Sequence, residues 1–119
     1  MQEAIYQTPG ALRFLVTVVL TPLTEELIFR GFIHNELLRH MGTAAAVICG
    51  ALLFGLYHGN LSQGLYAFLT GLCLELVTVW SGRLAPAVLC HAAANATAAA
   101  IPVIADFISH RSEIPPMSS

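Results

Sequence analysis

Two adjacent glutamates and an arginine, in the string Thr24-Glu25-Glu26-Leu27-Ile28-Phe29-Arg30, interrupt an apolar stretch that opens at Phe14. Two more polar pairs follow in equally apolar surroundings, Phe54 with His58 and His91 with Asn95. Carboxylates and imidazoles take up and return protons, and imidazole and amide N–H groups stabilise an oxyanion as it forms. Ionisable groups in a segment able to enter a bilayer are costly, so by default they carry function. The three groups together point to water-activating chemistry inside a membrane.

Helical periodicity divides the roles. Glu26 and Arg30, four apart, share a face and can pair, whereas Glu25 points about 100° away and is left free to face another helix. Glu26 is thus expected to be held by Arg30, and Glu25 to serve as general base. A structural ion-pair cluster joining helices is the competing use of the same three residues. Glu25 and His58 each stand about 16 residues from the Met41-Gly42 turn, ~25 Å along a helix, so an antiparallel hairpin sets them level, with a water between them. A histidine at a helix end is otherwise an ordinary interfacial residue. His91 and Asn95 lie one above the other, a stripe of donors that suits an oxyanion hole or, more simply, an interhelical hydrogen-bond pair. Counted from Gly82 they are about 14 Å and 20 Å deep, which brings Asn95 near the level of Glu25 and leaves His91 about one turn below. Glu25, His58 and His91 can also supply the three protein ligands of a catalytic zinc. With no HExxH and no Glu-x-x-His in the chain, zinc is permitted but not specified, and no cofactor is expected.

The elements that must position these groups follow from composition. Of 119 residues 56% are hydrophobic and only 10% charged, against about 25% charged in a soluble domain. Too few charges remain to cover a globular surface, so the expectation is an all-α, polytopic transmembrane bundle of about four core helices. The expected helices are Ala11 to Arg39 with a kink at Pro22, Thr43 to His58, Gln63 to Trp80, and Leu84 to Ile101. Pro102 is expected to end or bend the last. Short breaks at Met41-Gly42, Gly59-Asn60 and Ser81-Gly82-Arg83 make successive helices antiparallel. Residues 1–108 form one domain, and the polar stretch 109–119 is expected to be disordered. Ala44, Ala45, Ala46, Gly50 and the alanines from Ala92 to Ala100 are expected where helices meet, since close backbone approach drives packing in lipid. Such faces also suit self-association into a homo-oligomer. Glu75, alone in the third helix, needs a partner if buried. His34 extends the Arg30 stripe toward the interface, and His40 and His110 are expected to be solvated.

Several classes are excluded. A formal charge of −2, no lysine and five scattered arginines argue against a nucleic-acid partner. Cys49, Cys73 and Cys90, an odd number without CxxC spacing, argue against disulfides and a zinc knuckle. Met1 to Gly10 contains Glu3 and no basic residue, so no secretory signal is expected. Arg39 and Arg83 fall on one side of the four-helix arrangement and Arg13 and Arg111 on the other, a tie by the positive-inside rule. The short, lysine-free, multi-pass pattern reads as a bacterial plasma-membrane protein.

Glu-Glu-x-x-x-Arg from Glu25 to Arg30, closed by Phe29-Arg30-Gly31, then Phe-x-x-x-His from Phe54 to His58 and His-x-x-x-Asn from His91 to Asn95, resembles the CPBP intramembrane proteases. These include the type II CAAX prenyl endopeptidases and bacteriocin-processing or immunity relatives. The resemblance covers about Pro22 to Asn95. It implies an intramembrane endopeptidase in which Glu25 is the general base and, with His58, activates the attacking water. Glu26 and Arg30 would support that arrangement, and His91 and Asn95 would stabilise the oxyanion. It implies a metal-independent glutamate mechanism, with a metalloprotease as the alternative, acting on a membrane-associated and in some members lipidated protein or peptide. A non-catalytic membrane binding or bacteriocin-immunity protein is the other function the resemblance offers. Members usually carry further transmembrane helices, often ahead of the first motif.

Overall fold

The computed structural model describes residues 9–112, which form four helices and no strand. Helix α1 spans residues 10–40 without a break, α2 Thr43–Tyr57, α3 Leu61–Ser81 and α4 Leu84–Ser112. The first three match the expected spans within a residue or two. The fourth differs: it continues through Pro102. A proline inside a helix removes one backbone hydrogen bond and crowds the preceding turn, a defect tolerated in transmembrane helices. Residues 109–112 of the expected polar tail are therefore helical, and the remainder lies outside the described residues.

Helix α1 absorbs its own proline in another way. Two of its segments, Val16–Leu20 and Leu27–Ile33, are π-helical. The Thr21 N–H reaches back five residues to the Val16 carbonyl, so the Thr17 carbonyl would look next to residue 22, which is proline and has no N–H. The helix widens around the gap into a π segment.

The other boundaries have local causes. Asn60 caps α3 by accepting from the Gln63 N–H at 2.9 Å. Gly82 ends α3 in the left-handed conformation at φ +63°, and Gly59 turns the α2–α3 tip at φ +73°, a region open to glycine without steric cost. Pro86 falls in the first turn of α4, where its missing N–H would be unpaired in any case.

The tightest packing is between α2 and α3. A Cβ on Gly55 would lie 2.8 Å from the Gly64 carbonyl oxygen, so this crossing needs both glycines. Ala46, Gly50, Ala51, Ala67 and Gly71 are buried along the same seam. The expectation for α4 and the start of α2 holds in part: Ala92, Ala94 and Ala96 are half-buried, whereas Ala44, Ala45, Ala93, Ala98, Ala99 and Ala100 face outward. Phe29 and Phe54, with Ala67 and Ile33, form the apolar centre.

Large apolar side chains cover the outside, among them Leu56, Leu61, Leu65, Leu76, Trp80 and Leu89. Soluble monomers rarely expose apolar surface so continuously. Helices α3 and α4 are each long and apolar enough to cross a membrane, whereas α2, at 15 residues, is short for a core of about 30 Å. The molecule is elongated, 73 × 28 × 27 Å. Among the described residues only α1 and α4 continue past the α2–α3 tip, and there Asn95 of α4 joins Thr17 of α1.

Candidate active site

Phe54 is the hub. Its ring is buried and lies edge-to-face with Phe29 at 5.0 Å, His58 at 5.0 Å and His91 at 5.6 Å, with the Arg30 guanidinium 4.5 Å above its centre. Side chains from α1, α2 and α4 are thereby gathered around one apolar plate.

The i, i+4 reading of α1 is realised. Arg30 Nη1 donates to Glu26 Oε1 at 3.0 Å, with both side chains fully buried. The same oxygen lies 2.7 Å from His91 Nδ1. An ionised carboxylate only accepts, so that ring nitrogen carries the proton. His91 Nε2 turns to Glu25 Oε2 at 3.5 Å. His91 thus stands between the two glutamates, one holding its ring and the other facing its free nitrogen. His58 is fixed differently: its Nδ1 lies 2.9 Å from the Phe54 carbonyl oxygen. Because a carbonyl only accepts, Nδ1 is the donor, and Nε2 is left with a lone pair for an O–H group.

Glu25 opens outward. Its side chain is 12% exposed, against none for Glu26, and it lines a cleft of about 320 Å³ with Val16, Leu20, Thr21, Thr24 and Tyr57. His91 Nε2 lies 3.5 Å from its Oε2, and the His58 ring stands edge-to-face with Tyr57, which lines the same cleft. A larger groove of about 500 Å³ at the α2–α3 crossing, walled by Leu52, Gly55, Leu56, Leu65 and Phe68, contains no titratable side chain.

Five of the six expected residues, Glu25, Glu26, Arg30, His58 and His91, are brought together. Asn95 stands off to one side. Its Nδ2 donates to the Thr17 carbonyl at 2.9 Å, the carbonyl that Pro22 cannot serve. The relative depths also differ from expectation: His91, not Asn95, is level with Glu25. One amide proton of Asn95 remains for another acceptor.

Sequence spacing did not reach the partners of Glu75. This fully buried carboxylate faces Arg30 Nε at 3.4 Å and His34 Nδ1 at 2.5 Å. His34 continues the Arg30 stripe and is buried against α3 rather than solvated. The signal was Glu75 itself, a lone carboxylate in an apolar helix, but its partners lie more than forty residues away. His40 is exposed as expected and meets Glu36 at 3.1 Å, and all three cysteines are free.

A family model described as type II CAAX prenyl endopeptidase Rce1-like matches residues 7–97. The chain belongs to this family. The matched segment contains all three motifs and all six residues from Glu25 to Asn95. No curated protein and no solved structure matches the chain. Membership places the protein among membrane proteases, enzymes that hydrolyse protein or peptide substrates in a membrane environment. Zinc, the other chemistry weighed for these residues, asks for converging donors. Among the described residues no three His, Cys, Asp or Glu side chains form a group able to hold a metal ion. His58 Nδ1 is turned to a carbonyl and His91 Nδ1 to Glu26, which leaves both Nε2 lone pairs free, the arrangement usual for a ligating histidine.

Proposed function

We propose that the protein is an intramembrane endopeptidase in which Glu25 and His58 activate water without a metal. The observation that carries this reading is a partly exposed carboxylate lining a cleft, flanked by two oriented histidines, in an otherwise apolar interior. A water in the cleft gives one proton to the Glu25 carboxylate and shares the other with the lone pair on His58 Nε2, which turns its oxygen toward the substrate carbonyl. The new C–O bond forms as the proton reaches Glu25. Negative charge then gathers on the carbonyl oxygen, which His91 stabilises as the imidazolium, with Nδ1–H on Glu26 and a second proton on Nε2, while Asn95 is brought to the oxyanion only as the substrate seats. Collapse breaks the C–N bond, and Glu25 returns its proton to the leaving amine. Glu26 and Arg30 hold the His91 ring in place throughout.

The substrate we propose is a membrane-associated protein or peptide. Val16 and Leu20 line the cleft, and Leu20 is about half exposed. That wall suits a chain arriving through the bilayer, lipidated substrates included. We place the protein as a multi-pass component of a bacterial plasma membrane, in keeping with its lysine-free, four-helix pattern.

The test compares the termini of membrane peptides from cells carrying the wild-type chain with those from cells carrying Glu25→Gln or His58→Ala. Each substitution is expected to lower cleavage by on the order of 10²–10⁴-fold, the usual contribution of a general base, with helicity and thermal unfolding unchanged. Undiminished cleavage in either folded variant overturns the assignment. Identical termini in all strains, wild type included, favour the non-catalytic binding or immunity role. A chelator is expected to leave cleavage intact. Loss with the chelator and recovery with added zinc would restore Glu25, His58 and His91 as ligands.

A further inference from the structure

We propose that Glu75 and His34 are positioning residues of this active site, acting on His91 through Arg30 and Glu26. The inference rests on the proteolytic reading above, and it assigns a task to two buried groups that the mechanism leaves idle.

The side chains form a chain centred on the arginine. Toward the cleft, Arg30 Nη1 meets Glu26 Oε1 at 3.0 Å, and that oxygen meets His91 Nδ1 at 2.7 Å. Away from it, Arg30 Nε faces Glu75 Oε1 at 3.4 Å, and Glu75 Oε2 meets His34 Nδ1 at 2.5 Å. The order is therefore His91, Glu26, Arg30, Glu75, His34, with a carboxylate and then an imidazole on each side. Only the His91 end reaches the cleft, through Glu25. The third guanidinium nitrogen, Nη2, donates to the Gly71 carbonyl at 3.0 Å. A guanidinium is a rigid planar fork, and with Nη1 hydrogen-bonded to Glu26 on α1, Nη2 to Gly71 on α3 and Nε at ion-pair distance from Glu75 without a hydrogen bond, its plane is set by α1 and α3 together. That plane determines where Glu26 Oε1 can sit, and hence the tilt of the His91 ring.

The backbone makes room for this arrangement. A Cβ on Gly50 would overlap the Glu75 carboxylate, and one on Gly71 would press Arg30 Nη2 at 3.3 Å and the Phe54 ring at 3.1 Å. A buried carboxylate costs several kcal/mol to desolvate, and a leucine at position 75 would hold α3 to α1 more cheaply. The second carboxylate is explained by orientation better than by adhesion.

The test uses the full chain in detergent micelles, with kinetics on a peptide the wild type cuts and ¹⁵N spectra of the histidine rings. In Glu75→Gln, kcat is expected to fall about tenfold to a hundredfold, the loss typical when an outer partner of a working side chain is removed, with KM unchanged. The ring signals of both His34 and His91 should move. In an Arg30→Met background the His91 signal is already displaced, and adding Glu75→Gln should move it no further. Unchanged kcat in folded Glu75→Gln overturns the proposal, as does a shift confined to His34, or a His91 shift that persists without Arg30. If Glu75→Gln does not fold, Glu75→Asp and His34→Gln carry the same readouts. The spectra need no turnover, so a wild type that cuts nothing would sink the protease reading while the His91 signal still decides the positioning.

Discussion

At the scale of single residues, the site depends on one aromatic ring and on two absent Cβ atoms. Phe54 touches Phe29, Arg30, His58 and His91 at once, so Phe54→Ala removes a plate shared by three helices. Thermal unfolding in detergent is expected to show a loss of about 3–5 kcal/mol, together with loss of cleavage. Gly50→Ala forces a methyl group against a carboxylate already engaged by Arg30 and His34, and should cost about 1–3 kcal/mol by the same measurement. Gly31 supplies the contrast. A Cβ there meets the Glu26 carbonyl oxygen at 3.8 Å and a Leu84 methyl at 4.0 Å, both ordinary contacts. Gly31→Ala should therefore be neutral or stabilising, by up to about 1 kcal/mol, because alanine suits a helix interior better. A destabilised Gly31→Ala would show that the α1–α4 contact is tighter than these distances imply.

At the scale of elements, the π-helical segments of α1 explain an alignment that a regular helix would spoil. In an α-helix each step of four residues overshoots a full turn by about 40°, so Glu26, Arg30 and His34 would spiral away from one another. A π turn holds more residues, and the same step falls short instead. Mixing the two through Leu27–Ile33 keeps Arg30 and His34 on the face that meets α3, while Glu26 stays beside Arg30 and reaches His91 of α4. The first π segment couples α1 to α4. Because Pro22 leaves the Thr17 carbonyl to Asn95, Asn95→Ala should cost about 1–3 kcal/mol by stranding an acceptor. In a Pro22→Ala background, where an N–H is restored, the cost should be smaller. Equal losses in the two backgrounds, measured as a double-mutant cycle, would separate the proline from the asparagine. This also bounds what the sequence made legible. The helices, their turns and the Glu26–Arg30 pair follow from local periodicity and could be read directly. Glu75 was visible as an anomaly without a partner, since its partners are joined to it only by the fold. The level of His91 depends on tertiary packing, to which local pattern is blind, whereas the π segment at Val16–Leu20 is a local response to Pro22, and α4 continues past Pro102 through residues that are all exposed.

At the scale of the whole molecule, charge spacing defines a slab. Arg13 and Glu36 bound α1, and Arg83 and Asp106 bound α4; each pair is 23 positions apart. At 1.5 Å per residue that is ~35 Å, close to the thickness of a bilayer core. Glu25 lies near the middle of its span, and Tyr57, at the end of α2, borders the same cleft. The α2–α3 tip therefore stops well short of the level of Arg13 and Asp106. A cysteine replacing the exposed Tyr57, in a chain with Cys49, Cys73 and Cys90 changed to alanine, should react with a membrane-impermeant maleimide added on the Arg13 side and not with reagent added on the Glu36 side. Reaction from the Glu36 side alone would invert this topology. The shortness of the hairpin has a further consequence for the lipid. Acyl chains of one leaflet meet Asn60 and Gln63 where a fourfold bundle would have presented more apolar helix, and they cannot satisfy these groups. The leaflet is expected to thin or draw back there, leaving a funnel of water above Glu25, so that the hydrolysis proposed above would proceed at mid-bilayer depth with solvent supplied from one side only.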